Sequence, residues 1–162
     1  VKEHKDISGI KLAANAGHQN ALLGGLMTVK DNCDCKIVLG GPEVAYRPED
    51  ILEKYGFADF VLSGEGEWTF PDFLDNLKGD LSLVSGLAYR KDGKITVNPE
   101  KEYTDTPPSP FSDEFFRNLN GRITYIETAR GCPYRCAFCL SGRCSPLRFF
   151  DTENVKKDII DM

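Results

Sequence analysis

The sequence predicts an α/β fold in three layers, a parallel β-sheet with helices on both faces. Short apolar runs and helical patterns alternate from residue 6 to residue 78. The run at 36–41, "KIVLGG", has the unbroken apolar character of a buried strand and ends in glycines. No internal repeat or low-complexity tract interrupts the alternation. Successive strand–helix units need crossovers that lay helices on the sheet, and right-handed crossovers fix most of the topology.

The elements follow in order. "DISGI" (6–10) is a short strand. "NALLGGLMTVKD" (20–31) places Leu22, Leu23, Leu26 and Met27 on one helical face, although Gly24 and Gly25 weaken it. After the strand at 36–41, "RPEDILEKYG" (47–56) has Pro48 in a first-turn position, acidic residues at its start and Gly56 as its stop. "FVLSGEGE" (60–67) is a strand running into a loop. "TFPDFLDNLKG" (69–79) sets Phe70, Phe73, Leu74 and Leu77 on an amphipathic stripe. "VSGLAYRKDGKITVN" (84–98) is a hairpin, because Asp92 and Gly93 tolerate the positive φ of a tight turn. Residues 99–121, with four prolines, form a connector. A new strand, "ITYIETA", leads into the cysteines. The expected domains are therefore 1–98, a linker at 99–121, and 122–162.

Bulk composition narrows the function. With 162 residues, 41% hydrophobic and 28% charged, the chain is an ordinary globular one. A net charge of −5 gives no basic face for nucleic acid. No apolar run approaches the ~20 residues that span a bilayer. The opening "VKEHKDISG" has no signal-peptide pattern, so a cytoplasmic location with reduced thiols is expected. In that setting close cysteine spacings point to metal or catalysis.

Three of six cysteines fall in "RGCPYRCAFC" (130–139), and Cys144 follows five residues later. Thiolates at x₃ and x₂ spacing can converge on one metal from a single loop. Zinc would be closed by four protein ligands, Cys132, Cys136, Cys139 and Cys144. An iron–sulfur cluster held by the first three would keep an open iron. On spacing alone, a zinc-binding interaction module and an inert group of thiols also stand. Cys33 and Cys35, one residue apart before a strand, read as a turn with two free thiols.

With Phe138 before the third cysteine and a strand before the first, "RGCPYRCAFC" resembles the cluster loop of the radical SAM superfamily. The resemblance implies a 4Fe–4S cluster on Cys132, Cys136 and Cys139, S-adenosylmethionine on the unique iron, and Phe138 near its adenine. It further implies reductive cleavage to a 5′-deoxyadenosyl radical, an electron donor such as flavodoxin or ferredoxin, and "ITYIETA" as first strand of a partial β/α barrel. Such a barrel takes about 200 residues, so the chain is expected to be a piece that does not turn over alone.

Residues 36–74, "KIVLGGPEVAYRPEDILEKYGFADFVLSGEGEWTFPDFL", resemble the later half of the cobalamin-binding domain found ahead of one group of these enzymes. That implies a Rossmann-like (flavodoxin-like) domain lacking its first strands, with Gly40 and Gly41 beside the cofactor's nucleotide tail. Glycine permits such an approach by removing Cβ. Methyl transfer or radical rearrangement would follow if cobalamin binds. A cobalamin-like scaffold without catalysis is the alternative. Neither His4 nor His18 sits in an Asp-x-His-x-x-Gly pattern, and both read as surface or helix-end residues. Glu65 and Glu67 give no independent case for acid–base catalysis. Trp68 and the phenylalanines read as packing residues. The missing strands would leave "DISGI" with an unpaired edge, so self-association is expected.

Overall fold

A computed structural model describes residues 10–14, 26, 29–32, 34–134, 136–139 and 146–162. They fall into two compact units, Val1–Lys101 and Glu102–Met162.

The sheet of the first unit runs in the order β1 (Ile10–Ala14), β2 (Lys36–Gly40), β3 (Phe60–Leu62), β4 (Leu87–Lys91) and β5 (Lys94–Val97). The first three strands are parallel and the last two antiparallel. The sheet is therefore mixed, which corrects the expectation of a parallel sheet with a separate hairpin. The hairpin docks on β3 in the register Phe60↔Tyr89 and Leu62↔Leu87, so buried side chains continue onto β4. Its turn is as predicted: Asp92 and Gly93 have φ of 51° and 75°, the conformation of a two-residue hairpin loop. The structure describes β1 at Ile10–Ala14, which meets the strand predicted at 6–10 at Ile10, while residues 6–9 lie outside the described residues. Each residue of β1 pairs in turn with Lys36–Gly40.

Residues 26 and 29–32 are helical, reaching one residue past the stretch predicted at 20–31; Leu22, Leu23, Gly24, Gly25 and Met27 lie outside the described residues. A short helix α1 (Pro42–Ala45) was not expected. Then come α2 (Pro48–Lys54), with proline in the first turn as read, and α3 (Gly66–Asn76). The last begins three residues earlier than the stripe suggests. The Glu65 carbonyl accepts from both the N–H and Oγ1 of Thr69, at 3.0 and 3.1 Å, which winds Gly66–Trp68 into the first turn.

Strand alternation splits the core in two. Ile37, Leu39, Val61 and Ala88 face Leu26, Val44 of α1 and Leu52 of α2. Val38, Phe60, Leu62, Leu87 and Tyr89 face Phe73 of α3, flanked by Phe70, Leu74 and Leu77. All four members of the predicted stripe thus meet the sheet, and helices cover both faces. Arg90 reaches from β4 to donate to the carbonyls of Ala58 (2.6 Å) and Leu52, the latter among the unbonded carbonyls that end α2. Buried Asn98 donates to the carbonyls of Leu81 and Val84, both at 2.7 Å, closing the 3-10 turn at Leu81–Leu83 onto β4.

The second unit corrects two expectations. The connector contains a helix, α4 (Asp113–Arg117), started by Ser112, whose Oγ accepts from the Phe115 N–H at 3.2 Å. The predicted strand "ITYIETA" shortens to β6 (Ala129–Arg130), paired antiparallel with β7 (Arg148–Phe149) ahead of α5 (Thr152–Asp161). Among the described residues no strand lies beside 123–128. Without a ladder partner the apolar alternation has nothing to pack on, and Ile123 and Tyr125 are 87% and 86% exposed.

Candidate functional site

The cysteine loop leaves β6 at Gly131, whose φ of 95° belongs to the left-handed region that favours glycine. Cys132 and Cys139 are half-buried and Cys136 is exposed; none of the three is in a disulfide. The Cys139 N–H donates to the Cys136 carbonyl at 3.1 Å, so Cys136–Cys139 forms a closed turn with Phe138 at its corner. Phe138 is 93% exposed.

The structure thus places the three predicted ligands on one loop without assembling them. Among the described residues no three His, Cys, Asp or Glu side chains come together as a metal site. The donor chemistry nevertheless fits an iron–sulfur group, because thiols are the soft ligands such clusters take. Cys144, His4, His18 and Cys33 lie outside the described residues.

Cys35 departs from the expectation of a turn with two free thiols. It is buried and disulfide-bonded, its partner lying outside the described residues.

A second group of residues lies where β2 and β3 end. Gly40 pairs with Leu62 in the ladder, so the loops that follow them leave the same end of the sheet. Gly41 and Gly64 take φ of 96° and 82° there. Gly41 needs its glycine for conformation, whereas a Cβ on Gly40 would meet only the Leu62 carbonyl oxygen at 3.7 Å, ordinary contact. Ser63 is buried, donates its Oγ to the Ala45 carbonyl at 3.0 Å, and ties the two loops together. Glu65 caps the start of α3 through its backbone carbonyl, and Glu67 is exposed in the first turn.

Ser63 and Gly86 were missed by sequence reasoning. Gly86 has φ of 66°, bonds Pro99 and Ser63 through its backbone, and would hold a Cβ 2.6 Å from the Ser63 carbonyl oxygen. It falls inside the run 84–98 read as a hairpin, and no local signal marks it.

No known protein-family profile matches the chain. Among curated proteins, it is 34% identical over 115 residues to an uncharacterized methyltransferase of Pyrococcus horikoshii, covering 65% of this chain and 25% of that protein. It is 32% identical over 143 residues to the cobalamin-dependent radical SAM methyltransferase TokK of Streptomyces tokunonensis, covering 76% of this chain and 20% of that one. The fold matches the cobalamin-dependent S-adenosylmethionine radical enzyme OxsB, solved with aqua-cobalamin bound. The TM-score is 0.72 at 25% identity, over 94% of this chain and 23% of OxsB. The chain therefore spans a fifth to a quarter of these three proteins.

Proposed function

Because this chain belongs, over the part it spans, with the radical SAM enzymes that carry a cobalamin-binding-like domain, we propose that it supplies the cobalamin-side sheet and cluster loop of a radical SAM methyltransferase. The observation that carries the reading is the match to OxsB over 94% of the chain. In this reading Cys132, Cys136 and Cys139 hold a 4Fe–4S cluster. Phe138, exposed at the corner of the Cys136–Cys139 turn, is available to lie against the adenine of S-adenosylmethionine. Gly41 turns the chain away from β2 at the sheet end where Gly40 leaves room for the cobalamin tail. The sheet end suits such a role, since open α/β sheets bind ligands beyond the carboxyl ends of their strands. When bound, the cluster supplies the electron that reductively cleaves S-adenosylmethionine, and cobalamin supplies a methyl carrier. We read the sheet as a Rossmann-like, cobalamin-type domain, with 99–121 as linker and 122–162 as the start of a partial β/α barrel. Turnover, substrate and electron donor are those of the whole enzyme, and the chain alone is expected to be inactive.

The test is anaerobic reconstitution with iron and sulfide, followed by EPR of the reduced sample with and without S-adenosylmethionine. The expected result is a 4Fe–4S signal that shifts on adding S-adenosylmethionine and is lost when any one of the three cysteines is changed to alanine. Uptake of one tight zinc in place of iron, abolished by Cys144→Ala, would overturn it in favour of a structural zinc module.

A further inference from the structure

All the cysteines of the candidate cluster lie between Arg130 and Arg148, and these two residues pair directly across the β6–β7 ladder. The ladder is only two residue pairs long, too little to hold a loop by itself. Directly opposed residues share one face of a ladder, so the pairing sets two guanidinium-bearing residues side by side, and like charges so placed destabilise it. The structure answers this at Arg130. Its Nε and Nη2 donate to the two carboxylate oxygens of Glu127 at 2.9 and 2.6 Å, a two-pronged ion pair. The guanidinium also lies over the Phe150 ring, 5.6 Å from its centre. Phe150 is the diagonal neighbour on the same face, two residues beyond Arg148, and its N–H donates to the Thr128 carbonyl at 2.9 Å. The Arg130 side chain is 22% exposed, against 60% for Lys156 on the same unit.

We propose that Arg130, held by Glu127 and Phe150, is a positioning residue for the cluster loop. It fixes the backbone from which Gly131 and Cys132 depart. The inference rests on the reading of Cys132, Cys136 and Cys139 as cluster ligands. Arginine suits the task because its planar fork matches a carboxylate and stacks on an aromatic face, whereas lysine offers a mobile point charge. Partners that orient metal ligands from outside the coordination shell are typically worth about 10–100-fold in metal affinity.

The test uses cobalt(II) as a probe of the thiols, reading thiolate-to-cobalt charge-transfer absorption during titration of the reduced chain, with iron content after reconstitution as a second readout. Variants are Arg130→Met, Arg130→Lys, Glu127→Gln and the Arg130→Met/Glu127→Gln double change, each with a thermal unfolding scan. The expected result is a loss of about tenfold or more in cobalt affinity for Arg130→Met and Glu127→Gln, with the double variant no worse than the worse single one and lysine intermediate. If wild type binds and both single variants bind equally well, the positioning role is overturned and the cluster reading is untouched. If Arg130→Met loses both binding and Tm while Glu127→Gln behaves as wild type, the role is also overturned, since the side chain then only supports the fold. Absence of any thiolate band in wild type, together with no iron uptake, overturns the cluster reading and this inference with it.

Discussion

At Gly86 the backbone has φ of 66° and passes so close to β3 that a Cβ would stand 2.6 Å from the Ser63 carbonyl oxygen. The obstacle is backbone, which cannot swing aside, and the Ser63 N–H donates to the Gly86 carbonyl at 2.9 Å across the same gap. Gly86→Ala should therefore cost roughly 3 kcal/mol, combining left-handed strain with overpacking; denaturant unfolding of the two proteins measures it. A loss under 1 kcal/mol would show that the β3–β4 junction relaxes freely. Asn98 belongs to the same junction, since its side-chain amide serves two carbonyls of the turn between α3 and β4. The residues differ in how readable they were. Gly93 declares itself because Asp-Gly between alternating runs is a hairpin signal that needs no distant partner. Gly86 does not, because the atom that excludes a side chain belongs to a residue 23 positions earlier.

Between elements, Asp59 joins three pieces of the sheet's first layer. Its Oδ2 accepts from Lys30 Nζ at 2.6 Å and from the Ile37 N–H at 2.8 Å, and Lys36 stands at 3.4 Å from Oδ1. Lys30 also donates to the Cys35 carbonyl, so the clasp fastens the helical residues 29–32 to the starts of β2 and β3. Burial pushes the Asp59 carboxyl up, but Lys30, the Ile37 N–H and Lys36 outweigh it and hold the group below its ordinary value of 3.8. A carboxyl lowered by folding stabilises the protein above its unfolded pKa, and that contribution is lost as pH falls through the folded one. Asp59→Asn should therefore cost about 1–2 kcal/mol at pH 7. The gap should shrink as pH falls below about 4, near the unfolded carboxyl pKa. Urea unfolding of both proteins at pH 7 and pH 3 checks this; an equal gap at both values would mean that the carboxyl's charge contributes nothing.

Across the whole molecule the two units differ in kind. The first has a two-sided core, with Ile37, Val38, Leu52, Val61, Phe73, Val84, Leu87 and Ala88 fully buried. None of the described residues from 102 to 162 is buried, and apolar side chains such as Phe149 and Ile160 stand 77% and 81% exposed. Among the described residues β1 pairs only with β2, so the described sheet has its edge at β1. Such an edge recruits another strand. Sedimentation velocity over a wide concentration range should show reversible association, and a single monomeric species throughout would rule it out.

The sequence by itself determined the features whose causes are local. The α3 stripe, the Pro48 start of α2, the Asp92–Gly93 turn and the spacing of Cys132, Cys136 and Cys139 all follow from periodicity, restricted φ or donor chemistry within a few residues. The tertiary structure decided what depends on a distant partner. It set the register of β1 against Lys36–Gly40, and it added the hairpin to β3 because the buried rows continue across that pair. It left only Ala129 of "ITYIETA" in a strand, paired together with Arg130, because a strand exists only where another chain segment accepts its hydrogen bonds. It also brought Glu127, Arg130 and Phe150 together at the base of the cysteine loop. A ladder pairs residues far apart along the chain, so its register, and every side-chain contact that follows from it, is settled only when the chain folds back on itself.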